Sequence, residues 1–296
     1  MKLAVFHTLF NSIGIVLMLP MTRKLAAVLP ARMRSGPRAV WRAAFLNDSA
    51  LDLSDVALEA ARRETLPLFS NVFAIIADGI SVPRDLTLGR QPLPALVSSH
   101  HRVVAVDVDV RYEKMVKPLF GAIIEFISKA QRQTNDGSAD DLATLSVICR
   151  HLVDAVKGTK HLRKNLSQYM NASNAQVRDQ YDRIRLQLAQ VLRAVGSLDA
   201  NSGDALTALS FDDAKVEIMR IDDELNRQVT ALIRDRRLLL NVATSIMNDS
   251  RYAYDVGMHL VEAVQLLSSL GNRAARAAVA EMALDVRDLR DMAGDS

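Results

Sequence analysis

The sequence predicts an all-α protein in which one N-terminal transmembrane helix precedes a helical bundle. Its composition favours helices over sheets, because only 5% of the 296 residues are aromatic while 49% are hydrophobic. Along the chain, apolar residues recur at spacings of three and four, which is typical of helices that bury one face. A run of twenty uncharged residues near the N-terminus supplies the membrane segment.

The membrane segment runs from Leu3 to Thr22 and is long enough, at about twenty residues, to span the hydrocarbon core of a bilayer as a helix. Four polar residues interrupt it, which is typical of a helix that packs against other helices: His7, Thr8, Asn11 and Ser12. Six basic residues follow between positions 23 and 42. The positive-inside rule therefore predicts that the downstream side is cytoplasmic.

Two other interpretations of this segment stay open, a signal peptide and an amphipathic helix lying on the membrane surface. The polar interruptions and the lack of a clear small-x-small cleavage site disfavour the signal peptide. Seven Lys/Arg and no acidic residue precede Asp48, whereas the remainder has 30 basic and 34 acidic residues, a net charge of −4. This distribution suits a membrane-proximal segment and excludes the typical nucleic-acid-binding composition.

The rest of the chain is predicted to be a series of helices. The first covers residues 53–78, with Asn47, Asp48 and Ser49 as candidate N-caps. The others are predicted at 113–132, 140–170, 175–195, 212–236, 239–270 and 273–292. Residues 79–99 are interpreted as a connector because they contain three prolines and two glycines, and residues 135–137 and 196–203 as a turn and a loop.

Local patterns refine two of these regions. Residues 100–111 contain five valines and look strand-like, but no partner strand appears elsewhere, so we expect no strand there. The helices at 175–195 and 212–236 carry apolar seams at heptad spacing, as in helices that pack at a shallow angle. The seam residues are Val177, Tyr181, Ile184, Leu188, Val191 and Val195, followed by Ile218, Ile221, Leu225, Val229 and Leu232.

One short motif occurs twice. Residues 151–156, HLVDAV, recur 108 positions later as residues 259–264, HLVEAV. Each copy lies in a long predicted helix that follows a shorter one with polar ends. Such a repeat favours two related helical bundles, although six residues rich in leucine, valine and alanine can also match by chance.

Three stretches resemble bacterial sodium/phosphate cotransporters, in the same order along the chain. Residues 6–11, FHTLFN with a glycine shortly after, resemble the last membrane helix of that family. Residues 156–165, VKGTKHLRKN, are similar to a second stretch, and residues 243–255, ATSIMNDSRYAYD, to the signature near the C-terminus. In that family a sodium-coupled phosphate transport core is followed by a cytoplasmic helical domain similar to PhoU, the phosphate-signalling regulator.

The resemblance implies a membrane-tethered, PhoU-like regulatory domain, because the family's substrate and sodium sites lie in membrane helices that would come before residue 6. It divides the chain into a transmembrane helix at 1–30, a juxtamembrane helix and connector at 31–100, and a PhoU-like bundle at 101–296. It implies a bacterial inner membrane protein with a cytoplasmic C-terminal domain. Its implied partners are the membrane and an upstream transport core or further copies of the chain, with phosphate and sodium implied by resemblance only.

An alternative interpretation is a free-standing PhoU-like signalling or interaction protein, in which the membrane segment at 3–22 is only an anchor. The neighbouring reading frame would separate the two, since a multi-helix transporter fragment directly upstream favours the cotransporter-like interpretation.

We expect no metal and no cofactor in the helical body. PhoU-type proteins resemble one another in carrying Glu/Asp-x-x-x-Asp pairs that bind metal clusters. The residue four positions before Asp154 is Arg150, and the residue four positions before Asp255 is Arg251. An arginine on the same helical face would pair with the aspartate and repel a cation.

Other candidate ligands are also interpreted as polar surface groups. Glu281 and Asp285 have the required spacing but are flanked by further charges. Di-metal bundles use the order Glu-x-x-His, and two pairs in this chain have the reverse order: His151 with Asp154, and His259 with Glu262. We therefore expect these pairs to be surface pairs or to make an interhelical hydrogen bond. His100 and His101 adjoin a proline-rich connector, where a loop contact is expected.

Four residues of one predicted helix form a candidate anion-binding or partner-binding face, which we call the basic stripe: Lys157, Lys160, His161 and Lys164. Their spacing of three and four places them on one side, where they could meet anionic lipid, phosphate or an acidic partner; a solvated face is the plainer interpretation. No phosphate loop, nucleophile elbow or zinc-protease motif occurs, and Cys149 should be a buried, inert thiol. The sequence therefore predicts a protein that is not an enzyme.

Overall fold

The computed structural model describes residues 43–133, 138–197 and 205–270, which fall in one unit beginning at Ala43. Within these ranges the chain is helical and contains no strand. Six long helices dominate, and we number all helices in chain order: α1 (Ser54–Gly79), α2 (Arg84–Thr87), α3 (Leu93–Ser99), α4 (Val108–Arg111), α5 (Lys117–Gln133), α6 (Ser138–Tyr169), α7 (Ala175–Ser197), α8 (Ala205–Arg234) and α9 (Leu240–Ser268). A 3₁₀ turn at Asp48–Asp52 precedes α1, and a π-helical turn at Tyr112–Val116 leads into α5.

Some predicted features lie outside the described residues. These are the membrane segment at 3–22, the turn at 135–137, most of the loop at 196–203 and the final helix at 273–292. None of the described helices combines the length and the apolar character needed to cross a bilayer.

Within the described residues the predicted all-helical class is confirmed, with local corrections. Asn47 does not cap α1: its Oδ1 accepts a hydrogen bond from the Ala50 amide at 2.8 Å and caps the 3₁₀ turn, while α1 begins after Leu53 without a side-chain cap. The connector at 79–99 contains the two short helices α2 and α3. α8 begins at Ala205, earlier than the predicted 212. The valine-rich residues 100–107 form no strand, as expected.

The apolar seam of α7 lies in the core along its whole length. All six of its predicted residues are buried: Val177, Tyr181, Ile184, Leu188, Val191 and Val195. On α8, Ile218, Leu225 and Val229 are buried, whereas Ile221 and Leu232 are only partly covered. The periodicity therefore identified the buried face correctly, because burial of one apolar stripe is what stabilises helices in a bundle.

The six long helices form two three-helix units. The first, made of α1, α5 and α6, contains the motif at 151–156, and we name it the N-terminal repeat after that motif. In it Thr65 lies against Cys149 at 3.7 Å, and the Arg163 guanidinium reaches the Gly79 carbonyl at 2.9 Å. Residue numbers thus rise together, so α1 and α6 are parallel. The C-terminal repeat contains α7, α8 and α9; here Lys215 pairs with Gln265, and Asp222 with Ser250, so α8 and α9 are antiparallel.

The third helices of the two repeats, α6 and α9, share the most extensive helix contact in the described part of the chain. Along it, His151 meets His259, Gly158 lies against Val256, and His161 stacks on Tyr252. Rising numbers on α6 therefore meet falling numbers on α9, and the helices are antiparallel. A Cβ at Gly158 would lie 2.7 Å from Val256 Cγ2, so the glycine permits the close approach.

Arginines of α6 and α7 fasten the segment between α1 and α4. Arg185 is fully buried and binds four backbone carbonyls of this segment, those of Ile80, Ser81, Val97 and His100. Arg163 binds the Ser81 hydroxyl at 2.9 Å and the Val104 carbonyl. Ser81 itself has a φ of 57°, a left-handed conformation that is costly for a residue with a side chain and that these contacts help to hold.

Candidate functional site

The two copies of the repeated motif meet across α6 and α9. His151 Nδ1 lies 3.0 Å from His259 Nδ1, and the Glu262 carboxylate completes a cluster with Oε2 at 3.2 Å from His151 Nδ1 and 3.7 Å from His259 Nδ1. We call these three residues the His–Glu cluster. Each side chain is between a fifth and about a third exposed, so solvent reaches the cluster. The expected interhelical hydrogen bond is thus present, and it joins the two repeats.

Electrostatics separate the two histidines. Burial lowers the pKa of His151, and the neighbouring His259 lowers it further, which favours the neutral ring. The contact with Glu262 raises the pKa of His259 despite its partial burial, which favours the protonated ring. Burial of Glu262 would raise its pKa, but both histidines outweigh this effect and lower it, so the carboxylate is ionised.

Further charges surround the cluster on α6, α8 and α9. Asp154 on α6 and Asp255 on α9 favour a positive charge there, whereas Arg150 and Lys215 oppose it. Arg251 pairs with Asp255 at 3.0 Å, as its spacing predicted. Asp154 pairs instead with Lys157 of the next turn, at 2.9 Å.

All four residues of the basic stripe are exposed on α6. Lys157 pairs with Asp154, and Lys160 pairs with Asp109 of α4. The His161 ring stacks on Tyr252 of α9, with 5.1 Å between ring centroids. The stripe therefore lies together as expected, but part of its charge is already compensated within the protein, and its role as an anion or partner contact stays a prediction.

A buried polar group lies one layer below this surface. The Tyr181 hydroxyl of α7 donates to Asp249 Oδ2 of α9 at 2.6 Å, and Asn165 of α6 also bonds to Asp249. Only 1% of Asp249 is exposed, and this burial raises its pKa to about 6. Burial beside Asp249 likewise raises the pKa of Tyr181. The group ties three helices of both repeats together, and the sequence analysis did not identify it.

The other candidate residues have structural partners. His101 Nε2 lies 2.8 Å from Asp182 Oδ2, which is the loop contact expected for the 100–101 pair. Cys149 is fully buried against Thr65, and burial raises its pKa to about 12, so the thiol is protonated and shielded. Glu281 and Asp285 lie outside the described residues.

The groups that converge at one place are therefore those of the His–Glu cluster, with two imidazoles and a carboxylate that can exchange a proton or hold a cation. Sequence reasoning found the repeated motif but had no signal for the meeting of its two copies. Comparison with known proteins gives no assignment: no protein-family model, no curated protein and no solved structure matches the chain.

Proposed function

We propose that this chain is a PhoU-like regulatory module of a sodium-dependent phosphate cotransporter-type system, held at the cytoplasmic face of a bacterial inner membrane by its N-terminal segment. One observation carries the proposal: two of the stretches that resemble the cotransporter family meet in space. Residues 156–165 lie on α6 and residues 243–255 on α9. They contact each other through Gly158, where a Cβ would lie 3.6 Å from the Tyr252 carbonyl oxygen, through the stack of His161 on Tyr252, and through Asn165 and Asp249.

This meeting supports a regulatory module in a physical way. A helical protein can report a signal when the signal changes how two packed units are held together. In this protein one side of each resembling stretch lies where the N-terminal and C-terminal repeats pack on each other, while the basic stripe of the first stretch stays exposed. A role in communicating between repeats is therefore more consistent with their position than a role in catalysis.

Transport itself is assigned to a partner. An alternating-access pathway requires several membrane segments packed around a site at the midplane of the bilayer. The sequence has one uncharged run long enough for such a segment, at 3–22. The module would then act on a transport core, or on further copies of itself, through the cytoplasmic helices.

The first experiment tests the assignment of transport. The pure full-length chain is reconstituted in liposomes, and sodium-dependent phosphate uptake is measured against empty vesicles. We expect no uptake above the empty vesicles. Uptake that saturates with phosphate and requires sodium would contradict the proposal, because the chain would then be a transporter by itself.

The second experiment tests regulation. In the native host, the gene is deleted and replaced with wild type, with Gly158→Leu, which disrupts the α6–α9 contact, or with Gly121→Ala, which has open space around it. We expect deletion and Gly158→Leu to change sodium-dependent phosphate uptake or the phosphate-starvation response, and Gly121→Ala to behave as wild type. If deletion changes neither readout, a phosphate-related function is refuted; a changed starvation response with unchanged uptake favours the free-standing signalling interpretation.

A further inference from the structure

We infer that the His–Glu cluster binds one divalent transition-metal ion of the zinc class and thereby links the two repeats. The inference is independent of the proposed phosphate function, since it rests only on the geometry of His151, His259 and Glu262. It differs from the expectation of a metal-free body, because that expectation rests on spacing within single helices and the cluster joins two helices.

The first argument is geometric. The three ligand atoms, two imidazole Nδ1 and one carboxylate oxygen, are separated by 3.0, 3.2 and 3.7 Å. In a tetrahedral zinc site with metal–ligand bonds of about 2.0–2.2 Å, neighbouring ligand atoms lie about 3.3–3.5 Å apart. The triangle formed by the cluster thus has nearly the dimensions of one face of that tetrahedron, and sub-ångström side-chain adjustments would equalise its edges.

The second argument concerns hydrogen atoms. A neutral histidine has one N–H, and the ionised carboxylate of Glu262 has none. If neither Nδ1 carries a proton, all three contacts bring lone pairs together. If only His259 Nδ1 does, His151 Nδ1 faces the carboxylate through lone pairs at 3.2 Å; if only His151 Nδ1 does, its single N–H is shared between two acceptors; if both do, two N–H groups face each other at 3.0 Å. No protonation state gives each of the three contacts a hydrogen atom of its own, whereas one cation at the centre would bond to all three atoms.

The third argument concerns access and ligand type. Two imidazoles with one carboxylate are a ligand set that proteins use for zinc, with the fourth position open to water. The side chains of the cluster are partly exposed, so an ion can enter and a water molecule can complete the tetrahedron. The charges nearby include Asp154 and Asp255, which favour a cation, and Arg150 and Lys215, which oppose it; Glu262 therefore supplies the decisive negative charge.

Binding would have a structural consequence. His151 belongs to α6 of the N-terminal repeat, whereas His259 and Glu262 belong to α9 of the C-terminal repeat. One ion would therefore bond to both repeats at once. Because both imidazole nitrogens must be deprotonated to bind, affinity should fall as the pH is lowered, and binding should release protons.

The test uses the full-length chain, stripped of metal and equilibrated by dialysis with Zn²⁺ or Co²⁺. We expect one ion per chain and, for Co²⁺, the intense visible absorption of a tetrahedral site without thiolate charge-transfer bands. His151→Ala, His259→Ala and the isosteric Glu262→Gln should each weaken binding, by about a hundredfold for the histidine variants, since even the loss of groups that only support a ligand costs about 10–100-fold. His100→Ala, a partly exposed histidine that directly follows α3, is the control and should bind as wild type.

Two results would overturn the inference. The first is the absence of a stoichiometric ion in wild type whose far-ultraviolet circular dichroism shows it to be folded. The second is undiminished binding in both His151→Ala and Glu262→Gln, which would place the ion elsewhere in the chain. Glu262→Gln keeps the size and shape of the side chain, so a loss of binding in that variant cannot be attributed to unfolding when its helical spectrum is unchanged.

Discussion

Replacement of the buried Arg185 should cause one of the largest losses of stability available to a single substitution in this protein. The five N–H donors of its guanidinium meet five acceptors: the carbonyls of Ile80 at 3.0 Å, Val97 at 3.2 Å, Ser81 at 3.3 Å and His100 at 2.6 Å, and Asp182 Oδ1 at 2.8 Å. The side chain is inaccessible to solvent. It therefore holds residues 80–100 against α7 by bonds that water cannot replace.

The magnitude follows from what remains after substitution. Arg185→Met fills a similar volume but leaves four carbonyls and one carboxylate without this donor, and an unsatisfied buried group costs about 1–3 kcal/mol. Part of that sum is offset because the buried charge is removed as well, so we expect a net loss of about 3–5 kcal/mol in the free energy of unfolding, as for other broken buried ion pairs. Arg185→Lys keeps the charge but has three donors and no planar fork, so we expect a loss of about 2–3 kcal/mol.

The assay is urea unfolding at 25 °C followed by far-ultraviolet circular dichroism. Arg183→Met is the matched control, because Arg183 is exposed two positions away on the same helix and should change stability by no more than about 0.5 kcal/mol. If Arg185→Met unfolds within about 1 kcal/mol of wild type, the buried guanidinium does not hold the segment, and the reasoning from satisfied carbonyls fails.

Three further predictions concern the interface, a buried carboxylate and the architecture. Gly158→Ala should lower the free energy of unfolding by about 1–3 kcal/mol, because its Cβ would meet a Val256 methyl group at 2.7 Å. Gly121→Ala in α5 has open space around it and should raise the free energy of unfolding by about 0.5–1 kcal/mol. Equal effects of the two variants in chemical unfolding would contradict this prediction. The pKa of Asp249 is raised from 3.8 to about 6, so its protonated form stabilises the fold and that contribution is lost as the pH rises through this range. Between pH 4 and pH 7 the free energy of unfolding of wild type should therefore fall by up to about 3 kcal/mol relative to that of Asp249→Asn. If the free energies of unfolding of the two proteins change with pH in parallel, the raised pKa of Asp249 is refuted. A fragment beginning at Arg42 should be soluble without detergent and strongly helical by circular dichroism, and a reporter fused to the C-terminus of the full chain should be cytoplasmic; an insoluble fragment, a β-rich spectrum or an exported reporter would each contradict part of the architecture.

The helices could be predicted because their signals are local. The α7 seam from Val177 to Val195 repeats at intervals of three and four, and its burial follows from that spacing alone. Prolines predicted the helix boundaries less well, because a proline can either interrupt a helix or stand at its beginning. Pro83 and Pro92 precede α2 and α3 directly, where the fixed φ of proline is compatible with a helix start, so the apparent connector contains helical turns.

The tertiary contacts could not be predicted because their partners are distant in sequence. Arg185 lies beside the seam residue Ile184 and resembles any charged residue on a solvated helix face, yet its carbonyl partners are 85–105 positions away. The His–Glu cluster could not be predicted for the same reason. The motif at 151–156 and its copy at 259–264 are visible in the sequence, but the contact of His151 with His259 depends on α6 and α9 being antiparallel and in one particular register.

The α6–α9 contact is also where the two proposals can be separated. Gly158 and the His–Glu cluster lie on the same interface, seven residues or about two helical turns apart on α6. Gly158→Leu forces the helices apart and should disturb both regulation and metal binding, whereas Glu262→Gln removes a ligand without adding volume and should weaken metal binding alone. If Glu262→Gln also changes the phosphate response, the ion is part of the signal that the module reads. If it does not, the cluster stabilises the contact between the repeats, and the regulatory input acts elsewhere on α6 or α9.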